Sequence, residues 1–300
     1  MTNKWRARLK PLVPPAARTP LRRAESYVGR LRRWLKLVGE VRGAEASDRR
    51  VLRRSLLAAP MTSARHLDQW QNPCADSDIV VDVAGVGRFA IRGGSDDLFH
   101  VSPSREPAIL AAIKSMLRPG DIFIDAGANL GFYSILAARL VGPRGHVIAI
   151  EMMPDTASLL RQNVAMNGLA NVTLVERALS DVAGQWVVAS VRAGQFGQAS
   201  IAVDLAATDK TTVMVETTTL AVLVQRFGPA RLMKMDLEGV ETLVLGGAGA
   251  ALDRIEHVIF EDWGGEGRGH PWSESGHQVT ALDARNFIAS RTGVDAAAPR

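Results

Sequence analysis

The stretch that most constrains this 300-residue chain is Asp121-Ile122-Phe123-Ile124-Asp125-Ala126-Gly127-Ala128-Asn129-Leu130-Gly131-Phe132-Tyr133-Ser134. Ile122, Phe123 and Ile124 form a short apolar run suited to a strand buried on both faces. Gly127 and Gly131 follow, with Asn129 between them. Glycine permits positive φ and a close approach of backbone to ligand, and Asn is the next most tolerant of left-handed geometry. Phe132, Ile135, Leu136 and Leu140 then fall at helical spacing. The segment predicts strand, tight turn and helix, the context a ligand-holding glycine turn requires.

Charge narrows what such a turn can hold. A dinucleotide loop reads G-x-G-x-x-G and sets a pyrophosphate at the helix N-terminus. Here the pattern is Asp-x-Gly-x-Asn-x-Gly, with Asp125 two residues before Gly127. A carboxylate there repels a pyrophosphate and attracts an ammonium group, such as that of a methionine moiety, directly or through water. The next apolar run, Gly145 to Ile150, ends on Glu151. An acid at that position can accept both hydroxyls of a ribose. The expected ligand is a nucleoside-bearing small molecule; the alternative is an ordinary strand-to-helix turn with a capping role.

On these residues the chain resembles the FkbM family of methyltransferases. The resemblance runs from about Glu106 to Asp262, roughly half the chain, and is carried by Phe123 to Gly131, Asn163 to Leu169, Asn171 to Val175 and Ala178 to Asp181. Its most specific piece is Leu232-Met233-Lys234-Met235-Asp236-Leu237-Glu238-Gly239-Val240-Glu241. It implies a Rossmann-like methyltransferase fold and the cofactor S-adenosyl-L-methionine, held by Asp125, Gly127, Asn129, Gly131, Glu151 and Asp181. It also implies transfer to a hydroxyl of a sugar, glycan or secondary metabolite; the alternatives are a nucleic-acid or protein methyltransferase, or a non-catalytic membrane-associated binding protein on the same fold. Two departures stand out: Met152 and Met153 separate Glu151 from Pro154, and Thr219-Leu220-Ala221 lacks the aspartate common in the family at that point.

Residues 1–60 hold sixteen Lys or Arg against four acids, while the remainder holds twenty against twenty-seven. The basic balance therefore belongs to an N-terminal extension and not to the core, which disfavours nucleic acid as a partner. Residues 1–20 are basic and proline-rich and are expected to be mobile. Leu21, Ala24, Val28, Leu31, Leu35 and Val38 then fall three and four apart among arginines, predicting a basic amphipathic helix over 21–38. It can lie on an anionic membrane surface, pack on a domain or partner, or bind a polyanion. The single cysteine, Cys74, fits a reducing compartment. No run reaches transmembrane length and no signal-peptide apolar segment is present, so the expected location is cytoplasmic, with peripheral contact at the inner membrane face open.

A hairpin is predicted over 79–92 in a lead-in from 61 to 105, then a core domain over 106–292 and a flexible tail from 293. Core strands are expected near 121–125, 146–151, 172–176, 231–236 and 256–262, with helices near 106–118, 132–141, 155–167 and 240–251. Strands alternating with helices predict an α/β fold with a mainly parallel, twisted sheet. Residues 181–220 break the alternation and predict an antiparallel β insertion that either shapes an acceptor pocket or extends the sheet edge.

Ligands of open α/β sheets bind at the carboxyl ends of the strands. That places Asp236 and Glu238 on the reacting face, with Lys234 on the same side of its strand as Asp236. Asp236 is expected to orient or deprotonate an acceptor hydroxyl; the second role requires burial to raise its pKa. Asp236, Glu238, Glu261 and Asp262 are also a conceivable oxygen cage for a divalent cation, although no ligand spacing compels one. Glu241 is expected to be a helix N-terminal acid. His257 is expected within a strand, and His270 and His277 around a glycine-rich loop able to act as a lid.

Overall fold

The computed structural model describes residues 15–58, 72–192, 194–201, 210–262, 272 and 276–293, with side chains from 28 onward except that of Lys210. Helix α1 (Pro15–Glu40) leads into β1 (Val41–Gly43) and α2 (Ala46–Ala58), then the hairpin β2 (Ile79–Val83) and β3 (Gly87–Ile91), and short helix α3 (Asp97–His100) before α4 (Pro107–Met116). The core follows as β4 (Ile122–Ala126), α5 (Phe132–Val141), β5 (His146–Ile150), α6 (Pro154–Met166) and β6 (Val172–Val175). Next come the insertion strands β7 (Ala178–Leu179), β8 (Trp186–Arg192), β9 (Gln195–Ser200) and β10 (Lys210–Thr218). The chain closes with α7 (Leu220–Phe227), β11 (Ala230–Met235), α8 (Glu241–Gly246), a 3-10 turn (Gly249–Arg254), β12 (Ile255–Glu261), β13 (His277–Ala281) and β14 (Asn286–Arg291).

Among the described residues the largest sheet has seven strands, in the order β6-β5-β4-β11-β12-β14-β13. The first five run parallel; β14 pairs antiparallel to both β12 and β13. The parallel strands are apolar runs because both faces are covered. Phe123, Val147 and Leu232 enter one core with α4 and α5, while Ile124, Ile148 and Met233 enter the other with α7 and α8. This alternation follows from the two-residue period of a strand. Pro107 and Pro154 each open a helix, where their missing N–H costs nothing. Because β4 has β5 on one side and β11 on the other, the strand order reverses there and opens a crevice at their carboxyl ends.

The hairpin reaches this core through two amides of α6. Asn163 accepts from Ala90 N at 2.7 Å and donates to the Leu130 carbonyl at 2.9 Å. Asn167 accepts from Arg88 N and donates back to the Arg88 carbonyl. An edge strand's open backbone groups are thus satisfied by side chains. With β1 added, the hairpin becomes a three-stranded antiparallel sheet, and its core is continuous with Trp34, Leu37, Phe123 and Leu232. One hydrophobic core therefore crosses the boundaries expected at 60 and 105.

Several elements differ from expectation. The basic helix begins at Pro15, inside the segment expected to be mobile; residues 1–14 lie outside the described ones. Its buried side is Arg30, Trp34 and Leu37, whereas Val28, Leu31, Leu35 and Val38 face outward; Leu21 and Ala24 fall among side chains not described. The 240–251 helix divides into α8 and a 3-10 turn because glycines, with Gly249 at φ 49, interrupt it. Helix α7 was not expected; Thr219 caps it, its Oγ1 accepting from Val222 N at 3.2 Å. The insertion is a separate sheet, order β7-β10-β8-β9, antiparallel between β10, β8 and β9 and parallel between β7 and β10. His277 starts β13 and is buried against Trp272, while His270 and the glycine-rich loop lie outside the described residues. No described helix is long and apolar enough to cross a membrane.

Candidate active site

The floor of the site is the turn after β4. Gly127 (φ 78), Asn129 (φ 49) and Gly131 (φ 96) take left-handed geometry in alternation, which turns the chain sharply into α5. At Gly127 an added Cβ would also collide with the Asp236 carbonyl oxygen, so glycine is required there on two grounds. The turn is pinned to β5: Gly127 N and Ala128 N donate to the Ile150 carbonyl at 3.1 and 2.9 Å. Glu151 continues the pinning, accepting from Asn129 N and Met153 N, both at 2.9 Å. Burial pushes its carboxyl up to about 7, against the pull of those two amides.

Asp125 lies beneath this turn and does not line the cleft. It is 1% exposed, and its Oδ2 accepts from Ser134 Oγ at 2.6 Å. Burial raises its pKa, opposed by Lys234, which sits beside it in the register of β4 and β11. Asp125 Oδ1 and the cleft-lining Asn129 Oδ1 are buried with no hydrogen-bond partner among the described residues.

The reacting edge is built by β11 and the start of α5. Lys234 Nζ donates to Asp236 Oδ2 at 2.9 Å and lies 5.2 Å from the centre of the Tyr133 ring. Tyr133 donates its hydroxyl to Glu106 at 2.8 Å, and Arg105 pairs with the same carboxylate at 2.5 Å. Burial pulls the Asp236 carboxyl upward, but the Lys234 ammonium and the Arg105 guanidinium outweigh it and hold it below the usual carboxylate range. The raised pKa that a base at Asp236 would need is therefore not what this environment produces. Glu238, also in the cleft lining, meets that requirement: burial, then the carboxylates of Asp236, Glu261 and Glu241, push it up to about 7. Its φ of 54 is left-handed, unusual for a residue with a Cβ.

A roof comes from two segments far away in sequence. Phe196 N donates to Asp96 at 3.0 Å, the Arg92 guanidinium lies 3.5 Å from the centre of the Phe196 ring, and the His100 ring occupies the space a Cβ on Gly197 would fill. Arg92 is itself fixed by the fully buried Asp97 at 2.7 Å. Floor, edge and roof line a single cleft that is partly open to solvent.

The structure thus brings Gly127, Asn129, Glu151, Lys234, Asp236 and Glu238 to one cleft. Asp181 is not brought there: it is exposed, accepts from Ser180 Oγ at 3.0 Å, and its backbone packs against Gly247. Glu241 starts α8 and accepts from Leu237 N and Gly239 N, closing the loop that carries Glu238. His257 is buried in β12 beside Ser290. No described group of three or more His, Cys, Asp or Glu could hold a metal ion, so Asp236, Glu238, Glu261 and Asp262 form no such cage. Sequence reasoning missed Arg105, Glu106, His100 and Phe196. It also read Tyr133 only as part of a helix, although its place two residues after Gly131 is a usable signal.

These residues fit S-adenosyl-L-methionine. The unpartnered Asn129 oxygen and the Glu151 carboxyl group offer acceptors in the cleft, and Gly127 leaves its backbone bare of a Cβ. A family profile for the methyltransferase FkbM domain matches residues 125–288. The chain is similar to the arsenite methyltransferase of Halobacterium salinarum, 46% identical over 56 residues, covering 19% of this chain and 14% of that protein. It is also similar to a protein-L-isoaspartate O-methyltransferase of Ignicoccus hospitalis, 39% identical over 59 residues, covering 20% and 28%. The chain thus spans under a third of the length of either relative. Among solved structures, a precorrin-6y C5,15-methyltransferase from Geobacter metallireducens aligns with a TM-score of 0.40 and 14% identity, covering 63% of this chain and 89% of that one. With its sheet order, its glycine turn and more than half its length matched, the chain belongs to the FkbM family of S-adenosylmethionine-dependent methyltransferases.

Proposed function

We propose that the protein methylates a hydroxyl of a sugar, glycan or secondary metabolite, with Glu238 as the base. The observation that carries this reading is Glu238 itself: a cleft-lining carboxylate with a pKa near 7, set on a left-handed residue after β11. A hydroxyl must shed a proton as it is methylated, and a base with a pKa near the working pH is best suited to take it. S-adenosylmethionine, when bound, supplies a methyl group already attached to a good leaving group, so much of what the protein adds is alignment. Asp236, held ionised by Lys234 at 2.9 Å, accepts a hydrogen bond from a neighbouring hydroxyl of the acceptor and orients the molecule, leaving the proton of the reacting hydroxyl to Glu238. The Arg105–Glu106–Tyr133 chain fixes the far side of that edge. The acidic balance outside residues 1–60 favours a small neutral acceptor over a nucleic acid. A cytoplasmic location belongs to the same reading and rests on the single cysteine.

Calorimetry with S-adenosylhomocysteine, followed by transfer of labelled methyl to a panel of sugars and polyketide alcohols, tests it. The expected result is cofactor-product binding, with label on oxygen of at least one acceptor and loss of transfer, but not of binding, in Glu238→Gln. Label appearing on nitrogen of a peptide or nucleic acid would overturn the hydroxyl assignment. Full turnover by Glu238→Gln would overturn the base.

A further inference from the structure

Over its described side chains, from Val28 to Glu40, helix α1 is buried along one side only. Trp34 and Leu37 are each 2% exposed, whereas Val28, Leu31, Leu35 and Val38 are 49, 44, 60 and 49% exposed. These four lie three, four and three residues apart and form one apolar seam roughly 15 Å long at 1.5 Å per residue. Arg32, Arg33 and Lys36 are the exposed charges beside the seam, and no acid occurs between residues 28 and 39. At Val38 the seam opens into a groove between α1 and α2, with Leu52 and Leu56 along it and Arg42, Arg49 and Arg53 around it. The two acids at this groove are engaged elsewhere: Glu40 accepts from Ser102 Oγ at 2.6 Å, and Asp82 pairs with Arg88 at 2.8 Å. Leu57, 73% exposed, follows Arg53 and Arg54 on α2.

An exposed apolar seam of this length marks a contact surface, and its charge selects the occupant. A second copy laid seam to seam would bring Arg32 and Lys36 against the same residues of its twin, with no acid from 28 to 39 to answer them. A nucleic acid would answer the charge and leave the seam in water. An anionic bilayer answers both, its phosphates meeting the cations and its acyl boundary the apolar residues. We propose that α1 and the groove beside α2 dock the protein peripherally on an anionic lipid bilayer, with Val28, Leu31, Leu35 and Val38 entering the headgroup boundary.

The test is co-sedimentation of the full chain with vesicles of phosphatidylcholine alone, and of equal parts phosphatidylcholine and phosphatidylglycerol. Binding is expected only to the second, weakening as salt rises. The paired change Leu31→Glu with Leu35→Glu, and separately Arg32→Glu with Lys36→Glu, should each weaken binding about tenfold or more. All four positions are exposed, and an unchanged affinity for S-adenosylhomocysteine confirms that each variant is folded. If the leucine pair fails that control, the charge pair decides. No sedimentation with anionic vesicles overturns the proposal. So does sedimentation that the leucine pair leaves within about twofold of wild type, because the seam would then not insert. A concentration-dependent dimer in analytical ultracentrifugation, abolished by the leucine pair, would reassign the seam to contact between copies and equally overturn it.

Discussion

At the scale of single residues the site is organised by where charge is tolerated. Three carboxylates lie within a few residues of the strand ends and are treated differently. Lys234 keeps Asp236 ionised, burial raises buried Asp125, and burial with crowding by like charges brings Glu238 to about 7. A base must be ionised to accept a proton, so kcat/KM should fall about tenfold per pH unit below roughly 7 and level off above it. In Glu238→Gln that acidic limb should vanish together with most of the rate; an unchanged limb would point to another group. Gly127→Ala carries a different expectation. The left-handed φ and the collision with the Asp236 carbonyl both penalise a Cβ, so S-adenosylhomocysteine affinity should drop at least about tenfold in calorimetry while the far-ultraviolet spectrum is retained. Wild-type affinity in this variant would show that the turn is not part of the cofactor site. Much of this was legible in sequence, since Gly127, Asn129 and Gly131 act through their own backbone and Lys234 and Asp236 share a strand face by simple alternation. The base was not. The pKa of Glu238 depends on burial first, then on Asp236 and on Glu261 from a different strand, and burial is set by tertiary packing.

At the scale of elements, side chains do work that backbone pairing does elsewhere. Asn163 is fully buried in α6 and serves both the β3 edge and the glycine turn, through Ala90 N and the Leu130 carbonyl. Asn163→Ala leaves both groups unsatisfied and should cost about 2–4 kcal/mol in urea denaturation. A loss below about 0.5 kcal/mol would mean that water replaces the amide. The repeating strands and helices of the core were readable because each apolar run is local. Helix α1 shows where that reading fails. Its period is plain, but two apolar strips compete, and only tertiary packing selects Trp34 and Leu37 over Leu31 and Leu35 for burial. The roof was beyond sequence reading for a related reason, because Asp96 and Phe196 meet across 100 residues. Neither carries a motif.

At the scale of the whole molecule the buried acids set how stability responds to pH. Glu151 has an ordinary value of 4.5 and is raised to about 7 by burial. The folded protein therefore holds a proton that the unfolded chain releases across that window. Its stabilising contribution is complete below about 4.5 and is lost as pH rises to about 7; Glu238 adds in the same direction. The ligand-free protein should melt several degrees lower at pH 8 than at pH 5. Glu151→Gln should flatten that slope in a thermal scan, and a melting temperature that rises with pH would refute the assignment.

The roof has a further consequence. The floor is one contiguous piece of chain, from Asp125 through Glu151, pinned to β5 through Gly127, Ala128 and Asn129. The roof is a clasp between α3 and β9, and β9 also reaches the loop after β11, where Ser200 Oγ donates to the Glu238 carbonyl at 3.1 Å. On the proposed function, changing the residues around Asp96 and Phe196 is a route to a different acceptor, and because β9 holds the Glu238 backbone, such a change reaches the proposed base as well.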